Sequence, residues 1–138
     1  MNEQTDSIVR YCKPTQVLDG TVLAVAFYLR KKDLKFNRPE DEKELSVFHY
    51  EHFKNNPLKE LKNHCQKNGL NLNKNGYFAV IKYSNVKNDI KKRYSHEINI
   101  IPDKTPHYLI QNLYQCNNEI YDCFVDNIDS VTQITELD

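Results

Sequence analysis

The sequence predicts an α+β fold: a single domain with a largely antiparallel sheet and two or three packed helices. Three observations support this prediction. The chain has 138 residues, the length of one domain. Its short apolar stretches are bounded by turn residues, as strands are. Two Pro-containing segments have the composition of a helix start. Strands and helices mixed over such a length are typical of an α+β domain.

The first third of the chain contains the longest apolar run. Residues 1–7 are polar, and we expect them to be disordered. Ser7–Cys12 predicts a short edge strand or a segment packed against the core. Asp19-Gly20 favours a tight turn with positive φ. Thr21–Arg30 is apolar on both faces and therefore predicts the buried central strand of the sheet.

A charged stretch at 31–44 predicts a long loop in which only Leu34 and Phe36 are apolar. Whether this loop is a lid or only a connection stays open. Leu45–Tyr50 returns to apolar character and predicts a short strand or the entry to a helix.

The best-supported helix runs from Pro57 to about Asn68. Asn56 precedes a proline at the first helical position, and Gly69 supplies the stop. The helix would bury one stripe of side chains and leave its lysines in solvent. The expected buried residues are Leu58, Leu61 and Cys65, and the expected solvated ones are Lys59, Lys62 and Lys67.

Three further segments follow Asn75-Gly76. Tyr77–Val86 predicts a second strand, 87–93 a basic turn, and His96–Ile101 a third, half-exposed strand. Because Thr105-Pro106 resembles a helix start, we expect 106–116 to be helical. An extended conformation for His107–Ile110 remains an alternative.

The last 20 residues carry six acidic and no basic side chains, which balances the basic remainder of a chain with zero net charge. Ile120, Phe124 and Ile128 lie four apart and favour a helix from 119 to 129. Residues 130–138 predict an acidic tail or an edge strand. A net charge of zero argues against a protein that binds nucleic acid or a membrane surface through its overall charge.

Four cysteines without a Cys-x-x-Cys pair, and no secretory signal, predict reduced thiols and a cytoplasmic location. No apolar run approaches the roughly 20 residues of a membrane-spanning helix, so we expect no membrane association. The abundance of Asn and Lys suggests an A/T-rich genome.

The histidines raise the question of a metal site. His49 and His52 could share a helix face, with Glu51 or His64 as a further ligand. Zinc sites need three or four ligands, and no cysteine stands in register with these residues. The spacing alone is a weak indication, so we interpret these residues as surface or capping histidines and expect no metal and no other cofactor.

A second candidate is an anion site at Lys104-Thr105-Pro106-His107. The free amide groups of a helix starting here would bind a phosphate, Lys104 would add charge, and His107 could act as general acid or base. The alternative is that these polar residues only cap the helix.

A third candidate is a basic cluster with interleaved tyrosines, typical of single-stranded nucleic-acid surfaces. A lysine-rich turn that keeps a sheet edge soluble is the alternative. The cluster consists of Lys82, Lys87, Lys91, Lys92 and Arg93 with Tyr83 and Tyr94.

With three glycines, the chain has no Gly-rich phosphate loop, and it has no Gly-x-Ser-x-Gly motif. Its short motifs resemble a pattern found in small uncharacterised bacterial proteins. The resemblance implies no activity and singles out Ser46 and His107 as positions to test. The motifs are Tyr11 to Pro14, Leu18-Asp19-Gly20, Ala26-Phe27, Leu45-Ser46-Val47, and Pro106-His107 with Ile110.

These observations predict an accessory or protein-interaction domain of the bacterial cytoplasm, without catalysis and with an oligomeric state that the sequence leaves open. The alternative is an enzyme or binding protein acting on a phosphate-bearing nucleotide or nucleic acid. Its site would hold His107, Lys104 and Arg30, with Ser46 nearby. Such a site should bring Ser46, His107 and a basic residue into one concave pocket.

Overall fold

Six antiparallel strands form the main sheet, in the order β6-β7-β4-β1-β5-β8, and two more form a separate hairpin. The computed structural model describes all 138 residues and confirms the predicted α+β class. The strands are β1 (Ser7–Cys12), β2 (Val17–Leu18), β3 (Thr21–Val22), β4 (Leu45–His49), β5 (Tyr77–Lys82), β6 (Asn99–Pro102), β7 (His107–Gln111) and β8 (Ile128–Gln133). The α-helices are α1 (Pro57–Lys67), α2 (Tyr83–Tyr94) and α3 (Asp122–Asp126), and short 3₁₀ turns connect several elements.

Strand β1 lies in the middle of the sheet, between β4 and β5. The expected edge position for Ser7–Cys12 is therefore wrong. Side chains alternate between the two faces of a strand, and Ile8 and Val9 are both fully buried on opposite faces. A strand with apolar residues on both faces needs cover on both sides, which a central position supplies.

One face of the sheet, here called the packed face, carries the main core. It consists of 21 buried residues, among them Ile8, Val47 and Ile110 from the strands. Helices α2 and α3 cover this face, and the rings of Phe27 and Phe124 stack there with centroids 5.2 Å apart.

The opposite face, here called the second face, has a smaller core of six buried residues. Helix α1 covers Val9 and Phe78 with Leu61 and Cys65, and Ile134 closes the far side. Only part of the second face is covered in this way, and the uncovered part contains the candidate site.

The expected central strand at Thr21–Arg30 is wrong. Only Thr21–Val22 is extended, paired with β2, and Ala24–Phe27 forms a 3₁₀ turn. Burial does not alternate along the run, since Ala26 and Phe27 are both buried while Val25 is exposed. The turn before it is confirmed, because Asp19 and Gly20 have φ of 51° and 79°.

The second predicted strand ends earlier than expected. Strand β5 stops at Lys82, and the expected basic turn at 87–93 lies within helix α2. Tyr83, Val86 and Ile90 are all buried at helical spacing, and this stripe packs into the main core.

The expected helix at 106–116 is also wrong, and the extended alternative for His107–Ile110 is confirmed. Strand β7 pairs with β4 on one side and with β6 on the other. Tyr108 and Ile110 are buried, whereas His107, Leu109 and Gln111 are half-buried, and this alternation has the period of a strand.

The expected helix at 119–129 is shorter than predicted. It consists of a 3₁₀ turn at Asn118–Tyr121 followed by α3, and Ile128 already belongs to β8. For residues 130–138, the sequence predicts an acidic tail or an edge strand. Strand β8, which includes the first of these residues, is an edge strand of the main sheet.

Helix α1 matches its prediction, with Gly69 at φ 75° just beyond it. Lys62 is an exception among its lysines. It is buried instead of solvated, and its ammonium donates a hydrogen bond to Asp138 at the chain end. Near the other terminus, residues 2–6 form a hydrogen-bonded turn in which the Asp6 amide donates to the Asn2 carbonyl.

The 31–44 stretch contains a 3₁₀ turn at Leu34–Phe36 and is closed at its base by hydrogen bonds. Arg30 and Glu42 pair through backbone and side chain, and Asp33 and Arg38 exchange two backbone hydrogen bonds. None of the helices is both long enough and apolar enough to cross a membrane.

Candidate functional site

Strands β1 and β4 pair over only two residues and then separate. Ile8 lies opposite His49, and Val9 lies opposite Phe48. Beyond this point β1 pairs with β5 alone and the first half of β4 pairs with β7 alone. The main sheet is therefore split at its centre.

The side chain of Arg10 fills the split. Its Nη1 donates to the Ser46 carbonyl at 2.8 Å, and its Nε donates to the Ala26 carbonyl at 2.9 Å. These bonds satisfy backbone acceptors of β4 and of the 3₁₀ turn that strand pairing leaves free. They also place a guanidinium in the wall of a large cavity.

The cavity at this split, here called the split-sheet cavity, has a volume of about 1030 Å³. Small-molecule sites in proteins span roughly 300–1,000 Å³, so it has room for a nucleotide. Seven of its lining residues are Lys or Arg and two are Asp, which gives a strong local excess of positive charge in a neutral protein. The basic residues are Arg10, Lys13, Arg30, Lys31, Lys32, Arg38 and Lys104.

Arg10 has no carboxylate partner within ion-pair distance. Burial lowers the pKa of its guanidinium, and the charge of Arg30 adds to this effect, while Cys12 and Glu42 oppose it. Arginine nevertheless stays charged in proteins. A buried charge is costly unless it is paired. Arg10 uses two of its donor groups on carbonyls and keeps an uncompensated charge at the cavity wall.

Arg30 is compensated by Glu42. The two side chains form an ion pair of 2.8 Å, and this hydrogen bond raises the pKa of Arg30. Burial by itself would raise the pKa of Glu42, but the hydrogen bonds and charge of Arg30 lower it overall. Glu42 thus fixes the base of the 31–44 loop, which carries Lys31, Lys32 and Arg38 to the cavity.

His107 faces the same cavity from the start of β7. Its Nδ1 lies 3.0 Å from Asp103 Oδ2 and 3.2 Å from the Asp103 carbonyl oxygen. Both partners are acceptors, so Nδ1 carries the proton in the neutral ring. Nε2 is then an unprotonated nitrogen without a protein partner, which is the arrangement of an oriented general base.

Aromatic rings form part of the wall. Phe48 lies cross-strand from His107, with ring centroids 5.4 Å apart, and its ring is 6.5 Å from that of His64 on α1. Tyr11 and Tyr28 also line the cavity. Rings beside cations suit the stacking of a nucleobase next to its phosphate.

Four residues singled out from the sequence line this one cavity: Ser46, His107, Lys104 and Arg30. Because Phe48 lies opposite His107 and Leu109 lies opposite Ser46, Ser46 and His107 are diagonal neighbours on one face of the sheet. No hydrogen bond joins them. The catalytic role of either residue stays a prediction.

The anion-site argument from a helix N-terminus at Lys104 is wrong, since no helix begins there. The chain instead makes a tight turn with Lys104 at φ 55°, and the His107 amide donates to the Lys104 carbonyl at 3.1 Å. Both side chains reach the split-sheet cavity from this turn and β7.

The predicted basic cluster does not line the cavity. On α2, Lys91 pairs with Glu97 at 2.8 Å, and Arg93 pairs with Asp89 and Asp126. Lys92 is exposed, and Tyr83, one of the two tyrosines expected to stack, is fully buried. These ion pairs compensate much of the charge that a nucleic-acid surface would use.

The histidines considered for a metal site do not form one ligand set. His49 Nε2 lies 2.8 Å from Asp6 Oδ2 and 3.9 Å from Glu51, and these three could hold an ion. His52 is not in this group, and its ring centroid is 6.5 Å from that of His49. His64 belongs to the cavity wall instead.

Sequence reasoning did not single out Arg10, Asp103 or Phe48. A charged residue inside the apolar segment Ile8 to Cys12 was a signal for Arg10, because a charge in a buried strand needs a partner or a function. No local signal pointed to Asp103, whose role depends on the turn that brings it to His107.

Comparison with known proteins adds no relative. No protein-family model matches the chain, and neither a curated protein nor a solved structure matches it. The functional interpretation therefore rests on the geometry of the split-sheet cavity.

Proposed function

We propose that this protein binds a phosphate-bearing nucleotide or nucleic-acid segment in the split-sheet cavity. The observation that supports it most is Arg10, a guanidinium without a carboxylate partner in the wall of a cavity rich in basic residues. An anionic ligand would supply the missing countercharge, and guanidinium groups suit phosphate in particular.

The surroundings of Arg10 support a phosphate ligand over a simple carboxylate. Lys31, Lys32 and Lys104 have no ion-pair partner, so several charges are available at once. A polyanion uses several cations, whereas one carboxylate uses one or two. The adjacent rings of Phe48 and His64 offer an aromatic surface for a base.

The experiment is a fluorescence anisotropy titration with labelled single-stranded oligonucleotides made of 2′-O-methyl RNA. Unlabelled nucleotides serve as competitors. Binding through several cations should weaken steeply between 50 and 200 mM salt, by an order of magnitude or more for about four phosphate contacts. The double variant Lys31→Gln/Lys104→Gln should weaken binding about tenfold or more at low salt.

The matched control is Lys54→Gln/Lys92→Gln, which removes the same charge from exposed lysines outside the cavity. This control should bind as the wild type does. Equal losses in both double variants would mean that only general charge acts. Absence of binding to every oligonucleotide and nucleotide would refute the proposal.

The protein-interaction function is a second candidate, and one observation favours it. Leu34 and Phe36, at the tip of the 31–44 loop, are 70% and 73% exposed. Neighbouring apolar side chains exposed on a loop are typical of contact surfaces. We propose that, in an accessory domain of the bacterial cytoplasm, this tip would bind a protein partner.

Photo-crosslinking tests the second candidate. A benzophenone amino acid at Phe36 should give one discrete protein adduct in cells, whereas the same group at Leu18, 63% exposed on the β2-β3 hairpin, should not. Equal or absent crosslinking at the two positions would refute the candidate.

A further inference from the structure

Phosphate binding alone does not explain why Asp103 holds the His107 ring in one orientation. Phosphate binding needs charge, and the cavity has it without His107. A histidine whose Nδ1 is held by a carboxylate, with Nε2 free in a cavity, is the arrangement that orients an imidazole for proton transfer. The 103–107 turn, closed by the Asp103 amide donating to the His107 carbonyl at 2.9 Å, holds the pair in place.

A second imidazole lines the same cavity. His64 lies on α1, its side chain forms no hydrogen bond with the protein, and it packs edge-on against Phe48, as His107 does. The two ring centroids are therefore at most about 12 Å apart, the sum of their distances to Phe48. Two imidazoles in one cavity can serve as an acid and a base for one reaction.

The acidic residues of the cavity are already engaged. Asp103 is bound to His107, and Asp33 Oδ1 accepts the Lys35 amide. The residues that could hold an ion, Asp6, His49 and Glu51, do not line the cavity. The donor set at the cavity thus favours chemistry by imidazoles and cations, without a pair of metal ions bridged by carboxylates.

Phosphodiester cleavage in RNA fits these groups, because the nucleophile is the neighbouring 2′-hydroxyl of the substrate. Such a reaction needs a base, an acid and stabilisation of the charge on phosphorus. His107, His64 and Arg10 line the same cavity, and their side chains have the chemistry for these three functions.

We propose, resting on the proposed function, that the split-sheet cavity cleaves single-stranded RNA, with the Asp103-oriented His107 as general base. His107 Nε2 takes the proton of the 2′-hydroxyl, and O2′ forms a bond to phosphorus. The P–O5′ bond breaks, and protonated His64 gives its proton to the leaving O5′. The products are a 2′,3′-cyclic phosphate and a 5′-hydroxyl, and exchange with solvent returns both imidazoles to their starting states.

The experiment compares three labelled 12-mers of one sequence, in RNA, 2′-O-methyl RNA and DNA, all in the presence of EDTA. Only the RNA should be cut, and mass spectrometry should find the 2′,3′-cyclic phosphate end. His107→Ala should lower the cleavage rate about 100-fold or more. The Kd of the His107→Ala variant for the 2′-O-methyl 12-mer, measured by anisotropy, should stay within about threefold of the wild-type value, because Arg10 and the lysines remain.

Asp103 is a positioning residue, so its variants need a separate readout. Asp103→Asn should lower kcat and leave KM nearly unchanged, and Asp103→Glu should recover part of kcat. A purely structural role of Asp103 would change KM and stability as well. If His107→Ala does not fold, which circular dichroism will show, these Asp103 variants decide the question.

His52→Ala is the matched control, since it removes an exposed histidine outside the cavity. It should cut RNA at the wild-type rate. Wild-type protein that binds the 2′-O-methyl 12-mer but leaves RNA intact would overturn the cleavage proposal and leave the binding function standing. Failure to bind any 12-mer would overturn the cleavage proposal, and failure to bind nucleotides as well would also remove the binding function. Cleavage that persists unchanged in His107→Ala would overturn the assignment of the base.

Discussion

The two faces of the main sheet are built from the same strands but differ in what covers them. On the packed face, helices α2 and α3 and the 3₁₀ turn at Ala24–Phe27 bury 21 residues in one cluster. On the second face, α1 covers only the part over β1 and β5, with six buried residues. The remainder opens at the β1–β4 split and carries cations, histidines and half-buried aromatic rings.

This difference separates stability from function. The packed face contributes most of the buried apolar area, which dominates the free energy of folding. The split and the uncovered part of the second face are thus free to hold groups that are unfavourable for stability, such as an Arg10 without a carboxylate partner at the split. Residues of the two faces alternate along each strand, so neighbouring positions should respond differently to substitution.

The largest expected effect is on the packed face. Phe27→Ala removes a fully buried ring stacked on Phe124 and should lower the free energy of unfolding by about 3–5 kcal/mol. Phe48→Ala on the second face removes a half-buried ring and should cost only about 1–2 kcal/mol, while weakening oligonucleotide binding. Urea unfolding measures both, and equal losses would contradict the division between the faces.

The next effect concerns the split between the strands. Arg10→Leu leaves the Ser46 and Ala26 carbonyls without a donor, and we expect a loss of about 1–3 kcal/mol in unfolding free energy. Arg10→Lys keeps the charge and one donor nitrogen but loses the planar fork of the guanidinium, so it should lose less stability but still bind phosphate more weakly. Unfolding and anisotropy titrations on the same samples check this. Full binding by Arg10→Leu would show that the ligand does not use this residue.

A smaller effect should appear at the base of the 31–44 loop and depend on pH. The pKa of Glu42 lies below its ordinary value of 4.5 in the folded protein, so its contribution is present above pH 4.5 and is lost as pH falls through the folded-state value. Glu42→Gln should therefore cost about 0.5–1 kcal/mol at pH 7 and nothing at strongly acidic pH. Unfolding curves at several pH values test this, and a cost that does not change with pH would contradict it.

The smallest expected difference between the faces concerns the rates at which thiols are labelled, which report on access to each face. Burial raises the pKa of both Cys12 and Cys65 to about 11, so both should react slowly at pH 8. Half-buried Cys116 should be alkylated first. Cys65 lies in the cavity wall and should follow before Cys12, which is enclosed by the packed face. Peptide mass spectrometry gives the order, and Cys12 reacting before Cys65 would contradict it.

The sequence alone predicted the fold class, the turn at Asp19-Gly20 and helix α1, because each depends on local chemistry. The strand prediction failed at Thr21–Arg30. There the adjacent residues Ala26 and Phe27 are both buried in a 3₁₀ turn, so the burial pattern has neither the period of a strand nor that of a helix. The sequence favoured a helix at 106–116 because Thr105-Pro106 resembles a helix start. His107–Gln111 forms a strand instead, because it pairs with β4, which lies about 60 residues away in the chain.

The candidate site shows the same limit. Ser46, His107, Lys104 and Arg30 could be named by residue type, and they do line one cavity. Their arrangement depends on which strands separate, and the short β1–β4 pairing has no counterpart in the local sequence. The charge of Arg10 within an apolar segment was a signal in the sequence, but its two carbonyl partners at the split are defined only by the fold.

The Arg10 wedge has a consequence for how this architecture could change over generations. Along most of a sheet, closing a gap between strands requires a new register and many coordinated substitutions. Here one side chain stands between the Ser46 carbonyl and the neighbouring strand. Over generations, substitutions at position 10 should therefore be tolerated less readily than substitutions along the continuously paired strands, because one side chain makes here the hydrogen bonds that backbone groups make elsewhere.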